Sequence, residues 1–236
     1  MLYRCTECGS YFPTHAPLCS WCLQGHTLVL TPERRRAAHD AEIELTSARD
    51  LARAKWQAIQ LPAYPGLALR KGALVVLVGP AGAGKSTMMS RGIDSTGVPS
   101  LLVSVEEPAG PSLADRLARV GAKREDLFVC SRGSVDQIAG LIKANKIQWL
   151  GVDSAQRALF EGRDLRHLLL TLPSLVGVVV TSQINRGGDI RGGEELPHEA
   201  DVVVQVEDMR WRVTKSRYQP EGETGGVLPP MTTAAE

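Results

Sequence analysis

The feature that most constrains the fold is an apolar run at residues 74–78 that leads directly into a glycine-rich loop. The loop reads Gly79-Pro80-Ala81-Gly82-Ala83-Gly84-Lys85-Ser86-Thr87. This pattern is typical of a phosphate-binding loop (P-loop) between a strand and a helix, because glycines let backbone N–H groups surround phosphates. Lys85 would contact the β- and γ-phosphates, and the Ser86 hydroxyl would ligate Mg²⁺. An ordinary glycine-rich turn is the alternative, but the flanking residues favour a nucleoside triphosphate site.

Length and composition set the limits of the fold. The chain has 236 residues, 43% of them hydrophobic and 22% charged, which suits one α/β domain with a small appendage. The net charge is only +1, so contact with nucleic acid would need a local basic patch. No apolar run approaches the roughly 20 residues that span a bilayer, and the N-terminus has no signal pattern. We therefore expect a cytoplasmic protein with no membrane partner.

A cysteine cluster predicts a zinc site near the N-terminus. Two Cys-x-x-Cys pairs occur in residues 1–30 and consist of Cys5 with Cys8 and Cys19 with Cys22. Four thiolates at this spacing are typical of a zinc ribbon, whose closed tetrahedral shell leaves no position for a substrate. The alternatives are a redox pair or two disulfides. We interpret residues 1–30 as a structural four-cysteine zinc finger that depends on Zn²⁺ for folding.

Residues 31–60 read as a linker helix. Thr31 is a suitable N-cap and Pro32 a suitable first helical residue, and an Ala-, Glu- and Arg-rich run follows. We interpret the three arginines at residues 34–36 as part of a solvated helix face; contact with phosphates is the alternative.

The remaining sequence predicts an α/β core and a tail. Apolar segments alternate with helical stretches after the P-loop, which is typical of a mainly parallel sheet covered on both faces. A further alternating segment at 211–217 predicts an edge strand, and residues 219–236 predict a flexible tail. The core therefore covers residues 61–218. The apolar segments lie at 100–105, 127–130, 147–152, 176–181 and 202–206.

Polar residues at the ends of the predicted strands are candidates for chemistry. Asp153 ends an apolar strand, as in a Walker B motif, and would help to hold Mg²⁺. Glu106 and Glu107 end the strand that follows the P-loop helix. Either could be the base that polarises an attacking water, with Glu106 as the first candidate, or both could belong to the N-terminal region of the next helix. Gln183 ends another strand and could sense the γ-phosphate.

A glycine-rich loop with two arginines is a candidate DNA-binding segment. Arg186 precedes it and Arg191 lies within it, among the four glycines of residues 187–193. Such a loop carries charges that can bind a nucleic-acid backbone. A plain surface connection is equally consistent with its composition.

Together these segments resemble the bacterial RadA/Sms DNA-repair ATPases, a family within the RecA-like and DnaB-like motors. The likeness extends from the four-cysteine finger to about Tyr218. Its motifs are Val103-Ser104-Val105-Glu106-Glu107, Asp153-Ser154-Ala155-Gln156, Thr181-Ser182-Gln183-Ile184-Asn185-Arg186 and Lys215-Ser216-Arg217-Tyr218.

The resemblance implies a RecA-like core that assembles as a homohexamer, hydrolyses ATP and translocates on single-stranded DNA during branch migration. It also implies that Lys215 and Arg217 reach the ATP of a neighbouring subunit, although two basic residues on one face of an edge strand would look the same. A recombinase is a further expected partner. We expect the chain to lack the C-terminal Lon-protease-like domain of the family.

Two other functions fit parts of the sequence. A non-motor ATP switch could recruit recombination or replication partners through the zinc finger. A small-molecule P-loop kinase is a third hypothesis. The cysteine module and the absence of an obvious lid segment argue against it.

Overall fold

A computed structural model describes residues 3–5, 11–12, 28–30, 47–184, 195–208, 210–219 and 225–227. The chain divides into two compact units, Met1–Lys55 and Trp56–Glu236. Each unit is described by itself below.

The first unit contains a small antiparallel sheet. Its strands are β1 (Tyr3–Cys5), β2 (Tyr11–Phe12) and β3 (Leu28–Leu30), in the spatial order β2-β1-β3. The described part of this unit also includes helix α1 (Ala48–Arg53). Of the predicted zinc ligands, Cys5 falls in β1, whereas Cys8, Cys19 and Cys22 lie outside the described residues. The zinc finger therefore stays a prediction.

The second unit is an α/β structure, and its elements follow in chain order. The strands are β4 (Ala58–Ile59), β5 (Leu69–Arg70), β6 (Ala73–Gly79), β7 (Ser100–Ser104), β8 (Leu127–Cys130), β9 (Trp149–Asp153), β10 (Gly177–Gln183), β11 (Val202–Glu207), β12 (Arg210–Ser216) and β13 (Gly225–Val227). The helices are α2 (Lys85–Asp94), α3 (Pro111–Val120), α4 (Val135–Ala144), α5 (Ala155–Ala158), α6 (Gly162–Thr171) and α7 (Glu195–Glu199). Among the described residues, no helix is both long and apolar enough to cross a membrane.

One eight-stranded sheet organises this unit. Its order is β13-β12-β11-β6-β10-β9-β7-β8, and the six strands from β11 to β8 pair in parallel. The two remaining strands, β12 and β13, are antiparallel. The predicted α/β class with a mainly parallel, RecA-like central sheet is therefore confirmed.

Strand β6 lies inside the sheet, and all seven of its residues are buried. Leu74, Val76 and Val78 pack into one hydrophobic cluster, whereas Val75 and Leu77 pack into a second cluster. Because successive side chains of a strand point to opposite faces, the two clusters lie on the two sides of the sheet. Burial on both faces explains why the sequence of this strand is continuously apolar rather than alternating.

The structure differs from the sequence predictions in three places. The linker helix does not continue to residue 60, because α1 ends at Arg53 and Ala58–Ile59 form β4, which pairs antiparallel with β5. The rest of the predicted linker, residues 31–46, lies outside the described residues. Strand β12 is not an edge strand, since β13 pairs along its first half, and the tail predicted as flexible contributes this β13 strand.

A glycine in β10 gives a test of the packing. A Cβ added at Gly177 would lie 2.4 Å from the Trp149 ring, which is directly opposite on β9. We expect Gly177→Ala to lower the free energy of unfolding by about 1–3 kcal/mol through overpacking, as measured by urea denaturation. Gly140→Ala is the control, because the site in α4 is open and alanine should stabilise a helix interior by about 0.5–1 kcal/mol. Equal effects of the two variants would contradict the described packing.

Candidate functional site

The predicted P-loop lies between β6 and α2, at the carboxyl edge of the sheet. Gly84, directly before the helix, has a φ of 98°, a left-handed conformation that glycine adopts without strain. At the other end of the loop, a Cβ on Gly79 would lie 2.0 Å from the backbone oxygen of Val206. Glycine is thus required at Gly79 by close backbone approach and favoured at Gly84 by backbone conformation.

The Lys85 side chain is folded against the loop backbone and is 8% exposed. Its Nζ donates hydrogen bonds to the oxygens of Gly79 at 2.9 Å and Pro80 at 2.7 Å. Burial lowers the pKa of Lys85, and the nearby charges of Asp153 and Glu106 oppose that shift. A buried cation whose hydrogen bonds go to neutral carbonyls can exchange them for the oxygens of an anionic ligand.

Asp153, the last residue of β9, is 2% exposed and has a partner for each carboxylate oxygen. The Thr181 hydroxyl donates to Oδ1 at 2.7 Å, and Nη1 of Arg116 donates to Oδ2 at 3.0 Å. The backbone oxygen of Asp153 accepts from the N–H groups of Val105 at 2.8 Å and Glu106 at 3.2 Å. Asp153 therefore connects the ends of β7, β9 and β10.

The two glutamates that follow β7 have different surroundings. Glu106 accepts from the Ser154 hydroxyl at 2.8 Å and from Nε2 of Gln183 at 3.1 Å. Glu107 forms an ion pair with Nε of Arg116 at 2.9 Å and accepts from the Ser112 hydroxyl. The Glu107 carboxylate is engaged by the Arg116 cation, whereas Glu106 accepts from two neutral donors, so the geometry favours Glu106 as the residue that could contact a water.

One cavity brings together most of the residues predicted for the nucleotide site. Its lining includes the P-loop, the strand-end carboxylates and Gln183. The lining residues are Ala81, Gly82, Gly84, Lys85, Ser86, Thr87, Glu106, Glu107, Arg116, Asp153, Thr181 and Gln183.

The residues at this cavity fit Mg²⁺. The Ser86 hydroxyl and the Asp153 carboxylate are oxygen donors, which hard cations prefer. Across the described ranges, no group of three or more His, Cys, Asp or Glu side chains forms a metal cage. Mg²⁺ is commonly held by one or two carboxylates together with substrate phosphates, so a sparse protein donor set is sufficient.

Lys215 and Arg217 lie at the opposite edge of the sheet. Arg217 pairs with Oδ1 of Asp201 at 3.3 Å, and Oδ2 of Asp201 accepts from the backbone N–H of Leu74 near the start of β6. Nζ of Lys215 donates to the oxygens of Pro197 at 2.7 Å and His198 at 3.0 Å. The structure therefore does not bring these two cations to the P-loop of their own chain.

Two further predicted residues, Arg186 and Arg191, lie outside the described residues. The sequence reasoning missed Arg116, which contacts both Asp153 and Glu107. A signal was present, because Arg116 shares the buried face of α3 with Leu113 and Val120, at the spacing of an apolar helix stripe. An arginine on such a stripe indicates a buried ionic partner.

The fold and the site define a class of protein. A P-loop follows a central strand of a mainly parallel sheet, and carboxylates end two neighbouring strands on the same edge, as in RecA-like P-loop proteins. No family model matches the chain.

The chain is similar to the DNA repair protein RadA of Pseudomonas aeruginosa. The two are 25% identical over an alignment of 257 residues, which covers 95% of this chain and 56% of that protein. Together with the motifs, this similarity supports the resemblance found in the sequence. The chain spans about half the length of the curated relative that it matches.

The Thr181 contact provides a test of the site's geometry. Thr181→Val removes the hydroxyl while keeping the shape of the side chain, and it leaves Oδ1 of Asp153 without its donor. Because a buried acceptor without a partner is costly, we expect a loss of about 1–3 kcal/mol in the free energy of unfolding. Thr181→Ser, which keeps the hydroxyl, should lose clearly less. If valine were tolerated as well as serine in urea denaturation, the Thr181–Asp153 contact would be wrong.

Proposed function

We propose that this protein is an ATP hydrolase that binds single-stranded DNA and acts in DNA recombination and repair. The observation that carries the proposal is the arrangement of Lys85, Asp153 and Glu106 around one cavity at the end of the P-loop. A cation for the phosphates, a carboxylate for a metal and a carboxylate for a water are the parts that phosphoryl transfer to water requires. The similarity to the DNA repair protein RadA supports the same function.

In this proposal Glu106 is the general base. Ser154 and Gln183 hold its carboxylate in position, and it would accept the proton of a water that attacks the γ-phosphate. Lys85 would exchange the carbonyls of Gly79 and Pro80 for phosphate oxygens. Bound Mg²⁺, held with the help of Ser86 and Asp153, would neutralise phosphate charge.

Gln183 gives a route by which DNA could influence hydrolysis. It contacts Glu106 and lies three residues before Arg186 in the chain. We propose that Arg186 and Arg191 bind the DNA backbone, so that DNA contact in this loop changes the position of Gln183 and thereby of Glu106. Movement along single-stranded DNA and branch migration would follow from repeated cycles of this coupling.

The location of Lys215 and Arg217 supports a role in a neighbouring subunit. Strand β6 has seven residues and separates these cations from the P-loop of their own chain by about 20 Å, at the usual rise per residue of a strand. A cation at the far edge can stabilise γ-phosphate charge only in another copy, as an arginine finger does. We therefore propose a homohexamer, with a Zn²⁺-bound N-terminal finger that docks a recombinase.

The two glutamates give the first test. We expect Glu106→Gln to lower the ATP turnover number by at least about 100-fold, because a general base is lost. Glu107→Gln should have a smaller effect, because that carboxylate already pairs with Arg116. Turnover is measured with and without single-stranded DNA, and the DNA should stimulate the wild-type protein.

Two results would count against this proposal. A larger effect of Glu107→Gln than of Glu106→Gln would assign the base to the other glutamate. Slow turnover that single-stranded DNA does not change, combined with ATP-dependent partner binding, would favour the non-motor switch.

A mixing experiment tests whether Arg217 acts in trans. Lys85→Ala and Arg217→Ala should each be nearly inactive alone, because each removes one part of every composite site. In mixed assemblies, an intact P-loop can meet an intact Arg217 from the neighbouring chain. We expect the mixture to hydrolyse ATP clearly faster than the sum of the two variants. No recovery, together with a loss of stability in Arg217→Ala, would show that Arg217 serves only its ion pair with Asp201.

A further inference from the structure

Arg116 is a buried cation at the site that the proposed reaction does not use. The residue is 6% exposed and lies on α3. Its guanidinium spans two carboxylates, with Nη1 at 3.0 Å from Oδ2 of Asp153 and Nε at 2.9 Å from Oε2 of Glu107. Nη2 also lies 3.4 Å from the Ser104 hydroxyl. One side chain therefore ties the end of β9 to the turn after β7.

The charges around the cavity show what this cation balances. The lining contains three carboxylates, those of Asp153, Glu106 and Glu107, and two cations, Lys85 and Arg116. Without Arg116, three carboxylates would face Lys85 alone, and the buried Asp153 carboxylate would lose its ion pair while keeping the hydrogen bond from the Thr181 hydroxyl. Buried carboxylates without a cationic partner are unstable unless they acquire one.

A divalent cation is the natural replacement. Carboxylate and hydroxyl oxygens are hard ligands that suit Mg²⁺, and Ser86 adds a hydroxyl at the same cavity. The guanidinium repels such an ion and occupies one oxygen of Asp153. When a nucleotide binds, its phosphates would supply the negative charge that outweighs this repulsion.

We propose that Arg116 is an internal counter-ion that prevents the cavity from capturing Mg²⁺ before nucleotide binds. In this role it is a positioning residue that makes metal binding conditional on the phosphates. The proposal rests on the proposed function in one respect, namely that Asp153 faces the metal of a metal–nucleotide complex.

The test uses the full-length protein, free of nucleotide and DNA, with Mg²⁺ alone as the probe. We expect Arg116→Gln to bind Mg²⁺ at least about tenfold more tightly than the wild type, since a unit positive charge near the ion is removed. Isothermal titration calorimetry measures the affinity, and thermal unfolding should show a Tm that rises with Mg²⁺ only in this variant. Mg²⁺ is a suitable probe because thiolates do not compete for it.

Three further variants separate a local effect from a general one. Arg116→Lys keeps the charge and should bind Mg²⁺ as weakly as the wild type. Arg119→Gln removes the same charge from the exposed face of α3 and should change nothing. Adding Asp153→Asn to Arg116→Gln should abolish the gain in affinity.

Several outcomes would overturn the proposal. They are unchanged Mg²⁺ affinity in Arg116→Gln, an equal gain in Arg119→Gln, and a gain that survives Asp153→Asn. An Arg116→Gln protein that stays unfolded at every Mg²⁺ concentration would also contradict it, because Mg²⁺ should then substitute for the guanidinium. None of these measurements depends on hydrolysis, so failure here is distinct from failure of the proposed ATPase activity.

Discussion

The contacts of Asp153 are the constraint on which the rest of the site depends. Its backbone oxygen accepts from two N–H groups in the turn after β7, and its carboxylate accepts from Thr181 on β10 and Arg116 on α3. Three strand ends and one helix are thereby fixed relative to one another. The P-loop lies at the same edge of the sheet, so Lys85 lines the same cavity as these carboxylates.

The two edges of the sheet carry different chemistry. At the carboxyl edge, carboxylates outnumber cations and Lys85 is held among them. At the opposite edge, Arg166 and Arg217 share the buried carboxylate of Asp201. These two arrangements of charge suit the composite site proposed above, in which a head-to-tail contact in a ring would place the Arg217 edge of one subunit beside the P-loop edge of the next.

The fold could be predicted from the sequence because a strand that is buried on both faces is continuously apolar. Strand β6 is continuously apolar and ends at the P-loop, so both its existence and its neighbours in the chain could be predicted. The short strands β4 and β13 were missed, because two or three residues carry no periodicity and depend on pairing with distant residues. The local helical pattern therefore led us to predict a linker helix that ends too late in the sequence.

The site was predicted less completely than the fold. Glu106 and Glu107 are adjacent in the sequence, and what distinguishes them is their contacts with residues on other elements, such as the ion pair of Glu107 with Arg116. Arg116 and Asp153 are 37 residues apart in the sequence, so no local motif joins them. Strand ends can be placed from the sequence, whereas the partners of each side chain depend on how α3 packs over the sheet.

The central claim is that the cavity beside Lys85 and Glu106 holds a nucleoside triphosphate. The most direct measurement is an experimental structure of the protein with Mg²⁺ and a non-hydrolysable ATP analogue. We predict that residues 79–87 enclose the phosphates, that Nζ of Lys85 leaves the carbonyls of Gly79 and Pro80 for phosphate oxygens, and that Glu106 faces the γ-phosphate. An analogue bound elsewhere, with Lys85 still on those carbonyls, would contradict it.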